Sequence, residues 1–288
     1  MTSLALQQNG STAVPAVFAG RPTKIAIAGL GAIGKMLARK LGEGALPGME
    51  LAAVSARDPE KARRTLSEAG TDAPVLGLDE LAEVADLVVE CAPAAIFAEI
   101  ARPTLMAGKK MMALSVGALL SHYELVEVAR KHGGQIMVPT GALLGLDAVS
   151  AAAEGIIHSV NMVTRKPVKG LLGAPYLAQH KIAIEDIRAP LKIFDGSARE
   201  AAIGFPANLN VAVALSLAGI GPDKTHLEIW ADPTVTRNTH RIVVDSDSAS
   251  LDMTIANIPS ENPKTGRITA LSVIAALRKM NAPLRVGT

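Results

Sequence analysis

Six residues, GLGAIG, place glycines at Gly29, Gly31 and Gly34 directly after the apolar run KIAIA at 24–28. An apolar pattern through Met36, Leu37 and Leu41 follows. The order is strand, tight turn, helix, and the G-x-G-x-x-G spacing gives each glycine a separate task. Gly29 permits the turn, Gly31 lets a pyrophosphate approach the backbone, and Gly34 lets helix and strand pack closely. Ala32 and Ile33 open the helix, whose first N–H groups then face the phosphates. Such a spacing also occurs in ordinary turns. With a strand before it and a helix after it, it points to dinucleotide binding, with NAD or NADP as cofactor.

The rest of the first half keeps the rhythm. Strand patterns at 49–56, 85–91, 110–115 and 134–138 alternate with helical patterns at 59–69, 94–107 and 123–132. The run ADLVVEC at 85–91 is nearly continuous in apolar residues, as buried parallel strands are. Alternation of this kind predicts an α/β fold with a doubly wound Rossmann-type parallel sheet. From about residue 141 the rhythm changes. A small-residue helix at 147–154 precedes strand patterns at 159–164, 227–231, 241–246 and 250–258, with helices at 205–217 and 269–280. This predicts a second, α+β domain containing a largely antiparallel sheet. The expected division is a flexible tail at 1–22, a nucleotide domain at 23–140, a substrate and catalytic domain at 141–265, and a C-terminal helix at 266–288 that packs back on the nucleotide domain.

Composition excludes other classes. Of the 288 residues, 29 are basic and 27 acidic, so a net charge of +2 gives nucleic acid no long-range attraction. An aromatic share of 2% leaves few platforms for stacked bases. The single cysteine, Cys91, allows no intrachain disulfide and no multi-cysteine metal site, and the histidines are scattered, so no metal is expected. No apolar run reaches membrane-spanning length, and the first twenty residues lack the basic start of a secretory signal, so a cytoplasmic protein without membrane contact is expected.

Candidate site residues carry competing readings. After the second strand, Arg57 is placed to pair with a ribose phosphate, favouring NADP, and Asp58 is either a ribose-reading acid or a helix start; both also fit a solvated loop. Cys91 ends a strand at the ligand-binding edge of the sheet, as a cofactor neighbour or a buried spectator. The small-residue turns SVGA at 115–118 and PTGA at 139–142 let backbone approach a flat ring near Ala118 and Ala142, or are simply tight turns. Arg165 and Lys166 suit substrate carboxylates, with Arg237 as a third cation, or are solvated. Asn208 and Asn210 flank a helix start, where capping is the plain alternative. His240, just before the 241–246 strand, is the best-placed histidine for proton transfer.

Together these motifs resemble the L-aspartate dehydrogenase family over nearly the whole span from 24 to 280. The carriers are GLGAIG, SVGAL at 115–119, TGALLGLDA at 140–148, TRKP at 164–167, FPANLNVA at 205–212, ADPTVTRNTH at 231–240 and ENPKTGRITALSVIAALRK at 261–279. The resemblance implies a homodimer, with the second domain also serving dimerisation, that uses NAD or NADP to deaminate L-aspartate through iminoaspartate to oxaloacetate and ammonia, or the reverse. It implies His240 as the catalytic residue, Ala142 and Asn210 as cofactor contacts, and TRKP as part of a pocket for a small dicarboxylic amino acid. SAR at 55–57 replaces a clear acidic selector, which leaves NAD against NADP open. The rival expectations are a dehydrogenase for another small amino acid such as homoserine, and a non-catalytic dinucleotide sensor.

Overall fold

The computed structural model describes residues 20–206, 209–259 and 266–287. Residues 1–19 of the expected tail, Asn208 and most of the ENPKTGR stretch therefore lie outside the described residues. The last tail residues are anchored: both Nη atoms of Arg21 donate to the Asp86 carboxylate at 2.8 Å.

The first half is one parallel sheet of β1 (Thr23–Ala28), β2 (Met49–Ser55), β3 (Leu87–Glu90), β4 (Lys110–Ala113) and β5 (Gln135–Met137), in the order β2-β1-β3-β4-β5. The chain runs outward from β1 to β2, then returns across β1 to continue from β3. The reversal leaves a crevice at the carboxyl ends of β1 and β3, where ligands of open α/β sheets bind. Helices α1 (Ala32–Gly42), α2 (Pro59–Glu68), α3 (Leu81–Val84), α4 (Phe97–Met106), α5 (Val116–Ser121) and α6 (Glu124–His132) connect the strands. Because a strand alternates its faces, Ile25 and Ile27 enter one core with Leu37 of α1, while Ala26 and Ala28 enter another with Ile100 of α4. Both faces are covered, which is why these strands are apolar throughout. Asp58 caps α2, its Oδ1 accepting from Lys61 N at 3.0 Å. SVGA is not a bare turn: Val116 begins α5.

The second half holds α7 (Leu146–Ala152), β6 (Ile157–Lys166), α8 (Pro175–Gln179), β7 (Leu191–Ser197), α9 (Ala198–Gly204), α10 (Asn210–Ala218), β8 (Thr225–Ala231), β9 (Asn238–Ser246) and β10 (Ser250–Asn257). Its sheet runs β10-β9-β6-β8-β7, with β6 and β8 parallel and the other neighbours antiparallel. One face buries Val160, Met162, Leu227, Ile229, Ile242 and Val244 with residues of α7 to α10. The other carries polar pairs such as Arg241 with Asp252. Strand β9 starts at Asn238, so His240 lies inside a strand rather than before one. Elements β7, α8 and α9 were not expected from the sequence. In β7 a register shift between Lys192 and Phe194 breaks the alternation. Helix α9 does carry a signal, the capping box of Ser197 and Glu200.

Helix α11 (Arg267–Asn281) closes the chain. Val273 and Leu277 are buried in the core shared by β1 and α1, and Asn281 Nδ2 donates to Gly48 O at 3.0 Å. Among the described residues no helix is long and apolar enough to cross a membrane.

Candidate active site

The glycine turn is built as its spacing requires. Gly29 has φ +104°, and a Cβ there would lie 2.7 Å from the carbonyl oxygen of Cys91. A Cβ on Gly34 would lie 2.0 Å from Gly29 O, whereas one on Gly31 would meet nothing within 4 Å. The first and third glycines thus admit close packing within the chain, and the second leaves space for something else. Helix α1 starts without a side-chain cap, so its first N–H groups remain for an anion. These features fit a dinucleotide pyrophosphate. Ala32 and Ile33, in the first turn of α1, border a hollow of about 660 Å³ between α1, α2 and α11. Arg57 is exposed on the bend after β2.

A cleft of about 350 Å³ lies between the carboxyl ends of β3, β4 and β5 and the second sheet. On the first side it is bordered by Ala92, Ser115 and Ala142, on the other by Lys166, Asn210, Asn238, His240 and Asn257. Its turns are braced by side chains. Glu90, 0% exposed, ends β3. Its Oε2 accepts from Ser115 N at 2.7 Å and Leu114 N at 3.0 Å; its Oε1 accepts from Ser115 Oγ at 3.0 Å and Ala92 N at 3.2 Å. One carboxylate therefore ties the turn after β3 to the turn after β4, and burial raises its pKa. Asn210 is no cap: its Oδ1 reaches from α10 to accept from Gly117 N of α5 at 3.0 Å. The turn after β5 is held twice, with Gly141 N donating to Ser272 Oγ at 3.0 Å and Ala142 O accepting from Asn257 Nδ2 at 2.9 Å.

The second sheet presents its chemistry by register. Thr164 of β6 and Ile255 of β10 stand opposite His240 of β9. Two residues onward, Asn257 stands opposite Asn238, and alternation puts Lys166 on the same face as Thr164. His240 is 2% exposed, with Nδ1 3.1 Å from Thr164 Oγ1, which leaves Nε2 as the nitrogen for a ligand. Burial, and then the nearby charge of Lys166, push its pKa down to about 3. Lys166 is 4% exposed, and burial lowers its pKa to about 8. A neutral imidazole beside a cation suits proton transfer from a substrate whose carboxylate the cation holds.

Four expected contacts do not border this cleft. Arg165 alternates to the opposite face of β6, where its guanidinium lies 4.7 Å from the Trp230 ring centroid and Nη1 is 3.4 Å from Asp232 Oδ2. Arg237 is exposed before β9 and does not border the cleft. Ala118 packs toward the first-half core from α5, and Ser115 and Val116 border the cleft instead. Cys91 packs beneath the glycine turn, where burial raises its thiol pKa, and Ala92 takes the place at the cleft. Sequence reasoning missed Glu90, Asn238 and Asn257, and named Thr164 only as part of TRKP. Glu90 had a signal, a carboxylate inside an apolar strand; Thr164 had its position two residues before Lys166.

Comparison with known proteins follows this geometry. A family model described as the C-terminal domain of aspartate dehydrogenase matches residues 147–280, and one described as the NAD-binding domain of homoserine dehydrogenase matches 29–139. The chain is 61% identical over 264 residues to L-aspartate dehydrogenase 3 of Bordetella bronchiseptica, covering 92% of this chain and 97% of that one. It is 59% identical over 265 residues to L-aspartate dehydrogenase of Bradyrhizobium diazoefficiens, covering 92% and 94%. The crystal structure of aspartate dehydrogenase from Thermotoga maritima shares the fold, with TM-score 0.70 at 24% identity over 92% of this chain and 99% of that one.

Proposed function

Because the chain belongs to the L-aspartate dehydrogenase family, we propose that its cleft deaminates L-aspartate oxidatively through iminoaspartate to oxaloacetate and ammonia, or runs the reverse, with NAD or NADP. The observation that carries the reading is the pairing of a buried neutral histidine with a buried lysine on one face of the second sheet, across from the carboxyl edge of a glycine-motif sheet.

When bound, the cofactor accepts hydride from the substrate Cα, or returns it in the reverse direction. The chain's own residues do the rest. Gly29, Gly31 and Gly34 with the start of α1 would hold the pyrophosphate, and Ala142 and Asn210 would border the ring. Lys166 pairs with a substrate carboxylate and fixes the substrate in the cleft. His240 acts as general base, taking a proton either from the substrate ammonium or from the water that adds to the imine. Glu90 keeps the turns at Ala92 and Ser115 in register with one another. Arg57, exposed after β2, would pair with the ribose phosphate where NADP is the cofactor.

The proposed organisation is a nucleotide domain at 23–140, a catalytic and dimerisation domain at 141–265 and a closing helical segment at 266–288. The working form is proposed to be a homodimer, as the family resemblance implies, working in the cytoplasm. A screen of aspartate, homoserine and other amino acids, each with NAD and NADP, tests the reaction. Turnover with aspartate is expected, and His240→Ala should lower kcat by about 10²- to 10⁴-fold with cofactor affinity nearly unchanged. Cofactor binding without turnover on any amino acid would favour a sensor and overturn the reading.

A further inference from the structure

Among the described residues, one side-chain polar atom is fully buried and lacks a hydrogen-bond partner: Oδ1 of Asn257. The residue is 4% exposed and borders the cleft. Its orientation is fixed from the other side, because Nδ2 donates to Ala142 O at 2.9 Å. The oxygen is thereby turned toward Gly266, where a Cβ would stand only 3.1 Å away. A buried acceptor without a donor is strongly unfavourable and rare in folded proteins. Its donor is therefore expected from whatever fills the cleft.

The chemistry of that donor is restricted. A carboxylate or phosphate brings no proton to an amide oxygen, and Lys166 already supplies a cation for anionic groups. What Oδ1 requires is an N–H or O–H donor. On the dinucleotide and amino-acid reading above, the donors are the substrate ammonium, the hydroxyls of the ribose next to the nicotinamide, and the carboxamide of the ring; a ribose contact would be shared by ADP-ribose, a carboxamide contact would not. Register separates the ammonium from the carboxamide. The reacting amine belongs beside His240, whose partner on β10 is Ile255, whereas Asn257 stands two residues further on, opposite Asn238. Asn257 is also bonded to the turn after β5, at the edge where a nicotinamide ring would lie. We propose that Asn257 reads the carboxamide of the cofactor, its Oδ1 accepting the amide N–H and so fixing the ring's orientation in the cleft.

This rests on the dinucleotide reading, and the test separates the two. Affinities are measured by titration for NADH, for its reduced 3-acetylpyridine analogue, in which a methyl ketone replaces the amide, and for ADP-ribose, which lacks the ring. The wild type should bind NADH about tenfold more tightly than the analogue, the order expected for one hydrogen bond to a buried group. Asn257→Ala should bind the two alike. ADP-ribose affinity should stay within about twofold throughout, since it reports the fold and the pyrophosphate site. An unchanged preference in Asn257→Ala would overturn the proposal. So would loss of ADP-ribose binding in that variant. A raised aspartate KM in Asn257→Ala with the cofactor preference intact would assign the donor to the substrate and also overturn it. Failure of the wild type to bind any of the three, and NADPH as well, would remove the dinucleotide reading itself.

Discussion

His240 is placed to work without charge. Burial and the neighbouring lysine hold its pKa at about 3, so the imidazole is neutral throughout the physiological range. A carboxylate behind Nδ1 would oppose this by favouring the imidazolium. The group there is instead the hydroxyl of Thr164, at 3.1 Å. A hydroxyl both donates and accepts, so it serves whichever tautomer the reaction requires. Thr164→Val keeps the shape and removes the hydroxyl. It should lower kcat by roughly ten- to a hundredfold, the cost of about one to two hydrogen bonds in a buried network. Thr164→Ser should recover most of the loss, with NADH affinity the same in all three proteins. The wild-type kcat/KM profile, which reports the free enzyme, should show no break near pH 6.5, where an ordinary histidine titrates: the base is lost only as pH falls toward 3. A break at 6.5, or failure of serine to rescue, would contradict this role. His240 was legible in the sequence through its motif. Thr164 was legible only as a member of TRKP; its bond to His240 was not, because that partner stands across the strands, 76 residues away.

Strand β6 turns one tetrapeptide into two different surfaces. TRKP reads as a pair of cations for two carboxylates, yet period-two alternation sends Thr164 and Lys166 to one face and Arg165 to the other. Lys166 alone borders the cleft. Its pKa of about 8 gives a signed expectation. Below pH 8 it is charged and holds an anion; above pH 8 it becomes neutral and the hold weakens. Inhibition by succinate, which does not titrate in this range, should therefore weaken as pH rises through 8. Lys166→Met should bind succinate poorly at every pH, and Arg165→Ala should match the wild type. A large rise in the inhibition constant for Arg165→Ala would show that the opposite face reaches the substrate. The parallel sheet was easier to read, because strands buried on both faces announce themselves as continuous apolar runs. Strand β7 was not, since its core residues Ile193 and Phe194 are sequence neighbours across a register shift and leave no alternation to follow.

At the scale of the whole molecule, a net charge of +2 says little, because the charges that matter are local: one lysine in the cleft and one buried carboxylate bracing its wall. What unites the two sheets is helix α11. Its N-terminal end borders the cleft through Gly266 and Thr269, Ser272 holds the turn after β5, and Leu277 lies buried in the core with Ile25 and Leu37. The last helix of the chain thus supports the glycine-motif strand and helix that begin it. Leu277→Ala should cost about 2–5 kcal/mol in urea unfolding, the range for a buried leucine whose cavity does not fully collapse. ADP-ribose binds only the folded protein, so a saturating excess should add roughly 3–4 kcal/mol at a hundred to a thousand times Kd. That increment should be equal in wild type and variant if the helix stabilises the fold without touching the ligand. A loss under about 1 kcal/mol would show that α11 is docked loosely. A smaller ligand increment in the variant would show that the helix shapes the dinucleotide site directly.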